Sequence, residues 1–340
     1  MQLYQKLCKA ITENEINTKK SDELGLLHII PEAIELPLES QIYYPLIVVE
    51  SKLGISKKDL SLLLKEAHNY YITVTKNNYH DLEQVTRVMI LLKPDNYTAM
   101  NRRKELILSG HIDLKQELAL IELIFTIPKH SKSSVAWYHR QWIYTHFNQL
   151  LHIDIANEFK LCTVTSAAYP RNYYSWTYRY WILKTYCINN IPLLEREYRD
   201  TRHWIETNIS DYSGFQYLQQ LMGLLKLDTE DIHMKWLDQL IIKYPGHESL
   251  WCHRRFCSHL MIHSPNYCHS QHEFISNILN DTFKDQSLSN TTDDIVLQKE
   301  FALRFGLWQT LLEKRNKINN EYATLYLTVA PIPDFLNIQE

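Results

Sequence analysis

Glycine is scarce in this chain: 7 of 340 residues, where average usage would give roughly 24. Neither GxGxxG nor GxxxxGKS/T occurs, which excludes the phosphate-cradling loops of dinucleotide and nucleotide sites. Turn-rich sandwiches and barrels are poor fits for the same reason. The six Cys contain no CxxC pair, so no redox dithiol or zinc ribbon is signalled. No GxSxG elbow is present. The first 17 residues mix charged and apolar side chains and lack a signal-peptide core. The apolar stretch 42–49 is broken by Pro45 and is far shorter than a membrane span. The last residues, Asn337-Ile338-Gln339-Glu340, hold no prenylation box. A soluble cytoplasmic protein without disulfides or a membrane span is expected. Neither charge sign dominates: the net charge is −3, which argues against bulk nucleic-acid binding.

Aromatic residues are abundant: 22 Tyr, 8 Trp and 10 Phe. Many fall into a frame that recurs along the chain. A large residue stands at Met100, Trp137, Trp176, Phe215 and Trp251, at spacings of 37, 39, 39 and 36. Three residues later stand Arg103, Arg140, Arg179, Leu218 and Arg254. Four residues earlier stand Asn96, Ser133, Asn172, Asp211 and His247. The first four of these are good N-caps, whose side-chain oxygen accepts an orphan N–H of a first helical turn. Pro94, Pro170 and Pro245 lie six before the anchor and push the preceding residue out of helical conformation. The frame therefore spells helix stop, cap, helix start.

The segments between frames have helical periodicity, as in Leu114, Leu118, Ile121 and Phe125. Segments 79–93, 154–169, 192–208 and 229–244 are long enough for helices as well. Each unit is then a helical hairpin of about 38 residues, and stacked hairpins share a continuous core. The expected fold is all-α: an α-α superhelix, a right-handed TPR-like crescent forming a single domain over 1–340. Residues 1–78 are expected as an N-terminal helical cap and 79–260 as five repeats. Residues 261–340 are expected as a C-terminal helical cap, within which the polar stretch 270–294 reads as a loop or a degenerate sixth unit. The anchor and the Arg share a helical face. The anchors are expected to pack between layers, and each Arg to reach a neighbouring carboxylate or helix-end carbonyl.

Other constellations carry less. His247-Glu248 with His253 has HEx4H spacing, which breaks the one-turn separation of a zinc-protease helix. The Cys/His-rich stretch 252–269 (Cys252, His253, Cys257, His259, His263, Cys268, His269) fits no common finger, so no metal is expected there. Arg102, Arg103, Arg140, Arg179, Arg254 and Arg255 could form a basic stripe for RNA, against the net charge. Glu195, Glu197 and Asp200 look solvated or paired. No autonomous active site assembles.

The frame Pro-x-Asn-Tyr-x-x-Trp-x-x-Arg in tandem resembles the protein prenyltransferase alpha-subunit repeat. The resemblance runs from about residue 20 to 260, carried further by 48–54, 103–110, 210–215 and 244–255. The TPR differs in its 34-residue period and its consensus. The resemblance implies a subunit that wraps a separate beta subunit. That partner holds the catalytic zinc and most of the isoprenoid pocket, so no cofactor is expected in this chain. It further implies pairing with the beta subunit of Rab-type geranylgeranyltransferase, as in a type III enzyme. The pair would transfer a geranylgeranyl group from geranylgeranyl diphosphate to a protein cysteine near a C-terminus. Its substrates would include a SNARE that already carries a farnesyl group. Carried over by position, Lys132 and Tyr173 are the implied catalytic residues, Lys132 stabilising the diphosphate. Asn172 and Tyr174 are the implied substrate-binding residues. Tyr174 stands where the family often has His, and Ser134 where it usually has Tyr. The alternative reading is a non-catalytic scaffold that binds peptides on its concave face.

Overall fold

The computed structural model describes residues 2–13, 26–30, 41, 43–49, 52–225, 232–264, 266–288 and 291–318. The chain divides into two compact units, Met1–Ile182 and Leu183–Glu340. Apart from one small sheet, the regular secondary structure of the described residues is helical.

The first unit opens with α1 (Leu3–Glu13), then strands β1 (Leu26–Ile30), β2 (Ile47–Val49) and β3 (Lys52–Ser56), then α2 (Lys57–Thr73). This corrects the expected all-helical cap over 1–78. β3 is central, parallel to β1 and antiparallel to β2. Lys52-Leu53-Gly54-Ile55 alternates in the strand period, and Leu53 and Ile55 are fully buried. Ser56 ends the strand and caps α2, its hydroxyl accepting the Asp59 N–H at 3.1 Å.

Hairpins follow. The first unit holds α3 (Tyr79–Leu92) with α4 (Tyr97–Leu108), α5 (Leu114–Phe125) with α6 (Ser134–His146), and α7 (Ile155–Ala168). The unit boundary falls within α8 (Tyr173–Tyr186). The second unit holds α9 (Ile191–Thr207) with α10 (Tyr212–Leu225), α11 (Ile232–Lys243) with α12 (Glu248–Met261), and α13 (Tyr267–Leu279) with α14 (Thr292–Arg315). Asn96, Ser133, Asn172 and Asp211 each accept a first-turn N–H, as the cap pattern predicts. His247 instead bonds to the Ser210 hydroxyl at 3.0 Å and caps nothing with its side chain.

All five anchors are buried. Trp137 stacks on Phe125 at 4.1 Å and tilts against Tyr178 at 4.9 Å. Arg103, Arg140 and Arg254 join successive hairpins, and Arg179 ties the two helices of its own. Arg103 donates to the Glu83 carbonyl at 3.0 Å within its own hairpin and to Glu117 of the next at 2.9 Å. Arg140 repeats this with the Leu118 carbonyl at 3.0 Å and Glu158 at 2.5 and 2.7 Å. Arg179 donates to the Phe159 carbonyl at 2.8 Å. Arg254 pairs with Asp238 and lies 4.0 Å over the Phe274 ring. Four of the six arginines proposed for an RNA stripe are thus interior struts, and that reading falls. At Leu218 the strut is replaced by an aliphatic side chain in the apolar core of the second unit.

In the C-terminal part the structure decides between the two expected readings. Residues 267–279 are helix, not loop, because Tyr267, Phe274, Ile275 and Ile278 form a buried stripe beneath a polar composition. His272 meets Glu313 at 3.0 Å and ties α13 to α14, so this is the sixth hairpin rather than a linker. Residues 319–340 of the expected cap lie outside the described residues. No helix among the described residues is long and apolar enough to cross a membrane.

Candidate functional site

Lys132 ends a short 3₁₀ turn, His130–Lys132, that leads into α6. The turn is held by its middle residue. The Ser131 carbonyl accepts the Trp137 indole N–H at 2.7 Å and the Asn172 amide at 3.0 Å. The Ser131 hydroxyl accepts a further bond from Asn172 at 3.2 Å. Ser133 caps α6 and donates its hydroxyl to Asp95 at 2.6 Å. Thus the anchor Trp of one repeat, the cap Asn of the next and an Asp of the previous one all fix this turn.

The Lys132 ammonium lies 4.8 Å from the centre of the Tyr169 ring. The side chain is half-buried, its stem against protein and its head beside an aromatic face. Next to it, burial lowers the His130 pKa to about 4, with Lys129 adding to the effect and Asp95 opposing it. His130 is therefore neutral at pH 7, and the turn carries its positive charge on lysines. A fixed cation on a rigid turn can stabilise a phosphate or another developing anion.

Asn172, Tyr173 and Tyr174 begin α8 and are joined to this turn through Asn172. Their roles separate by burial. Asn172 is completely buried, its amide donating to Ser131 and its oxygen accepting from the Ser175 N–H at 3.4 Å. In this chain its amide is spent on holding the Lys132 turn. Tyr173 and Tyr174 are 47% and 36% exposed, packed edge to face at 5.4 Å. They offer an aromatic surface on the helix that Asn172 anchors beside Lys132.

Sequence reasoning missed Ser131, Asp95 and Tyr169. Ser131 does its work through a backbone carbonyl, which carries no residue-type signal. It also missed the buried carboxylates Glu117, Glu122 and Glu158, which the period of their helices would have placed on the inward face. Of the two roles expected for Glu197, solvated or paired, the structure shows the second: it is buried and accepts the Tyr217 hydroxyl at 2.7 Å. In the 252–269 stretch, His253 and Cys257 come together, whereas His259 lies exposed against Trp308. Their companion is His233 of α11, outside the stretch that composition singled out.

The fold, with its capped hairpins and Arg struts, is that of a helical-repeat protein. The sequence profile of the protein prenyltransferase alpha subunit repeat matches residues 114–147, 155–186, 194–225 and 233–261, four hairpins in succession that carry this repeat. Among individual proteins it is similar to protein prenyltransferase alpha subunit repeat-containing protein 1 of Homo sapiens. The identity is 29% over 324 residues, covering 77% of this chain and 78% of the relative. The Danio rerio protein of the same name is 28% identical over 317 residues, covering 76% of this chain and 72% of the relative. The geranylgeranyl transferase type-2 subunit alpha of Candida albicans is 22% identical over 165 residues, 43% of this chain and 44% of that protein. The hairpin α3–α4 lies outside the matched segments but has the same cap, anchor and Arg strut.

Proposed function

We propose that this chain is the alpha-type subunit of a heterodimeric protein geranylgeranyltransferase of the type III kind, inactive alone. Its partner is the beta subunit of Rab-type geranylgeranyltransferase. Together they move a geranylgeranyl group from its diphosphate to a protein cysteine near a C-terminus, including that of a farnesylated SNARE. The observation that carries this reading is the clamped Lys132 turn. A lysine at the position that matches the family's diphosphate lysine is held by three successive repeats. The similarity to a protein named as a geranylgeranyl transferase subunit supports the lipid class.

The chemistry divides between the subunits. The sulfur attacks the first carbon of the lipid, and the carbon–oxygen bond to diphosphate breaks. Zinc on the partner supplies the thiolate by lowering the thiol pKa. This chain's part is to meet the charge that gathers on the leaving diphosphate. Lys132 supplies a fixed cation there, and Ser131, Trp137 and Asn172 keep it from relaxing away. Tyr173 and Tyr174, exposed on the helix that Asn172 ties to this turn, supply the aromatic contacts to the substrate in this reading.

Co-expression with the Rab-type beta subunit should yield a one-to-one complex that survives purification at micromolar concentration. In single turnover, Lys132→Ala should leave the complex intact and slow transfer about 10²–10³-fold. Failure to co-purify defeats the heterodimer. An intact complex with unaltered transfer by Lys132→Ala defeats the role of Lys132 and favours a scaffold.

A further inference from the structure

α11 and α12 meet through two imidazoles and a thiol. His233 lies in the first turn of α11, His253 in α12, and Cys257 one turn after His253. The two Nε2 atoms are 2.8 Å apart, and Cys257 Sγ is 3.7 Å from His253 Nε2. The three ligand atoms all lie within 4.8 Å of one another. None of these residues is more than 2% exposed.

Three other hairpins show what this position does there. In α5–α6, α7–α8 and α9–α10 the residue before the Arg position reaches back to a carboxylate on the first helix. His139 meets Glu117 at 2.8 Å, Tyr178 meets Glu158 at 2.9 Å and Tyr217 meets Glu197 at 2.7 Å. Each is a donor facing an acceptor. In α11–α12 the carboxylate is replaced by His233, so imidazole faces imidazole. One turn beyond, the matching positions are Ile143, Ile182 and Leu221, all buried. Here that position is Cys257. Two independent departures from the repeat thus bring soft ligand atoms to one point.

The surroundings complete a ligand shell. His233 Nδ1 is 2.7 Å from the Tyr198 hydroxyl, and His253 Nδ1 is 3.2 Å from the Gln219 amide. Each imidazole has its outer nitrogen oriented by a polar partner and its inner nitrogen turned to the shared point, the arrangement of metal-bound histidine. Phe215, Trp236 and Phe256 ring the histidines and keep the site dry. Burial, aided by Arg202, lowers the His233 pKa to about 3, and burial lowers that of His253 well below its ordinary value. Both rings are therefore in the neutral, ligating form.

We infer that His233, His253 and Cys257 form a binding site for one thiophilic d¹⁰ metal ion, zinc(II) or copper(I). The ion sits between the two Nε2 atoms and the sulfur. Seating it requires the Nε2 atoms to part to about 3.3 Å, which follows from metal–nitrogen bonds of ~2.05 Å at a tetrahedral angle. Cys257, whose thiol burial pushes up to about 12, gives its proton to solvent as the metal–sulfur bond forms. The Nε2 proton shared between the rings moves to Nδ1, where the Tyr198 hydroxyl or the turned Gln219 carbonyl accepts it.

The test uses the full chain purified under reducing conditions, with cobalt(II) as the spectroscopic probe. One equivalent should bind and give thiolate-to-metal charge-transfer absorption. Zinc(II), or copper(I) delivered from a bicinchoninate buffer, should displace it, and which ion does so identifies the metal. Cys257→Ser should abolish the band, and His233→Gln should weaken binding at least about ten-fold. Absence of the band together with no stoichiometric zinc or copper(I) uptake overturns the site. Retention of tight binding by folded Cys257→Ser overturns it as well, since surface histidines bind without the thiol. Should the variants fail to fold, peptide-resolved thiol labelling of the wild-type chain in mild denaturant decides. One equivalent of metal must slow labelling of Cys257 about ten-fold or more, and unchanged labelling refutes the proposal.

Discussion

Arg140 carries a full charge into an interior that leaves it no water, and its neighbours show how that is made tolerable. Glu158 accepts two bonds from it, the Leu118 carbonyl one and Glu122 another. Burial alone would raise the Glu158 pKa. Arg140 and the hydroxyls of Tyr144 and Tyr178 overcome this and hold it below the ordinary value. Removing one partner strands the other, so Glu158→Gln should cost about 3–5 kcal/mol in urea unfolding. Arg140→Met with Glu158→Met should cost less than either single change, because both charges leave together. A double variant as unstable as the sum of the singles would refute that account. Asn172→Ala removes the helix cap and the Ser131 clamp at once, and should cost about 2 kcal/mol by thermal or urea unfolding.

Among elements, α10 shows what happens where the Arg strut is missing. Leu218 is fully buried in the core with Phe215, Leu237 and Trp251. The sequence suggests a weakened ion pair there. The structure instead shows an apolar joint whose strength comes from packing. Leu218→Ala should therefore cost about 2–5 kcal/mol through the cavity it leaves. Its cost should be insensitive to salt, as measured by urea unfolding at low and high ionic strength. The Ser133 cap on α6 is a separate joint, since its hydroxyl both caps the helix and bonds Asp95 of the preceding repeat. Ser133→Ala should cost about 1–2 kcal/mol in the same measurement.

At the scale of the whole molecule, stability depends on pH through groups kept out of their solution protonation state. His130 titrates at about 4 and His233 at about 3, and His253 is likewise depressed, in each case chiefly by burial. Unfolded histidine takes its proton near ~6.5. Between those values the unfolded chain binds more protons than the folded one, so stability rises with pH. It is fully present above ~6.5 and is lost as pH falls toward the folded values. Glu117 and Glu158 are also held below their ordinary value, and their contribution is lost only below ~4.3. Urea midpoints should therefore drop from pH 7 to pH 5, before carboxylates titrate, and drop again toward pH 3. A midpoint that is flat between pH 7 and pH 5 would rule out the neutral buried histidines.

The recurring Pro, cap, aromatic and Arg were enough to set the class of fold, because they are local signals. A cap oxygen acts within one turn, and a proline acts on its neighbour. The same locality explains the scarcity of glycine, since many of these turns use Pro, Asn and Ser and, among the described residues, left-handed glycine is needed only at Gly110 and Gly246. The carry-over of Lys132 and its neighbours was likewise a matter of position in a frame. Tertiary structure alone decided what each side chain meets. It closed Asn172 into the interior, turned Arg103 and Arg140 inward onto Glu117 and Glu158, and paired Leu26–Ile30, Ile47–Val49 and Lys52–Ser56 in a short sheet. It also brought His233 to His253 and Cys257 across two helices. Those partners lie 14 to 41 residues apart and on different elements. Helical periodicity marks which face of a helix is buried. It does not say which residue of another helix that face will touch, because that depends on how the hairpins pack.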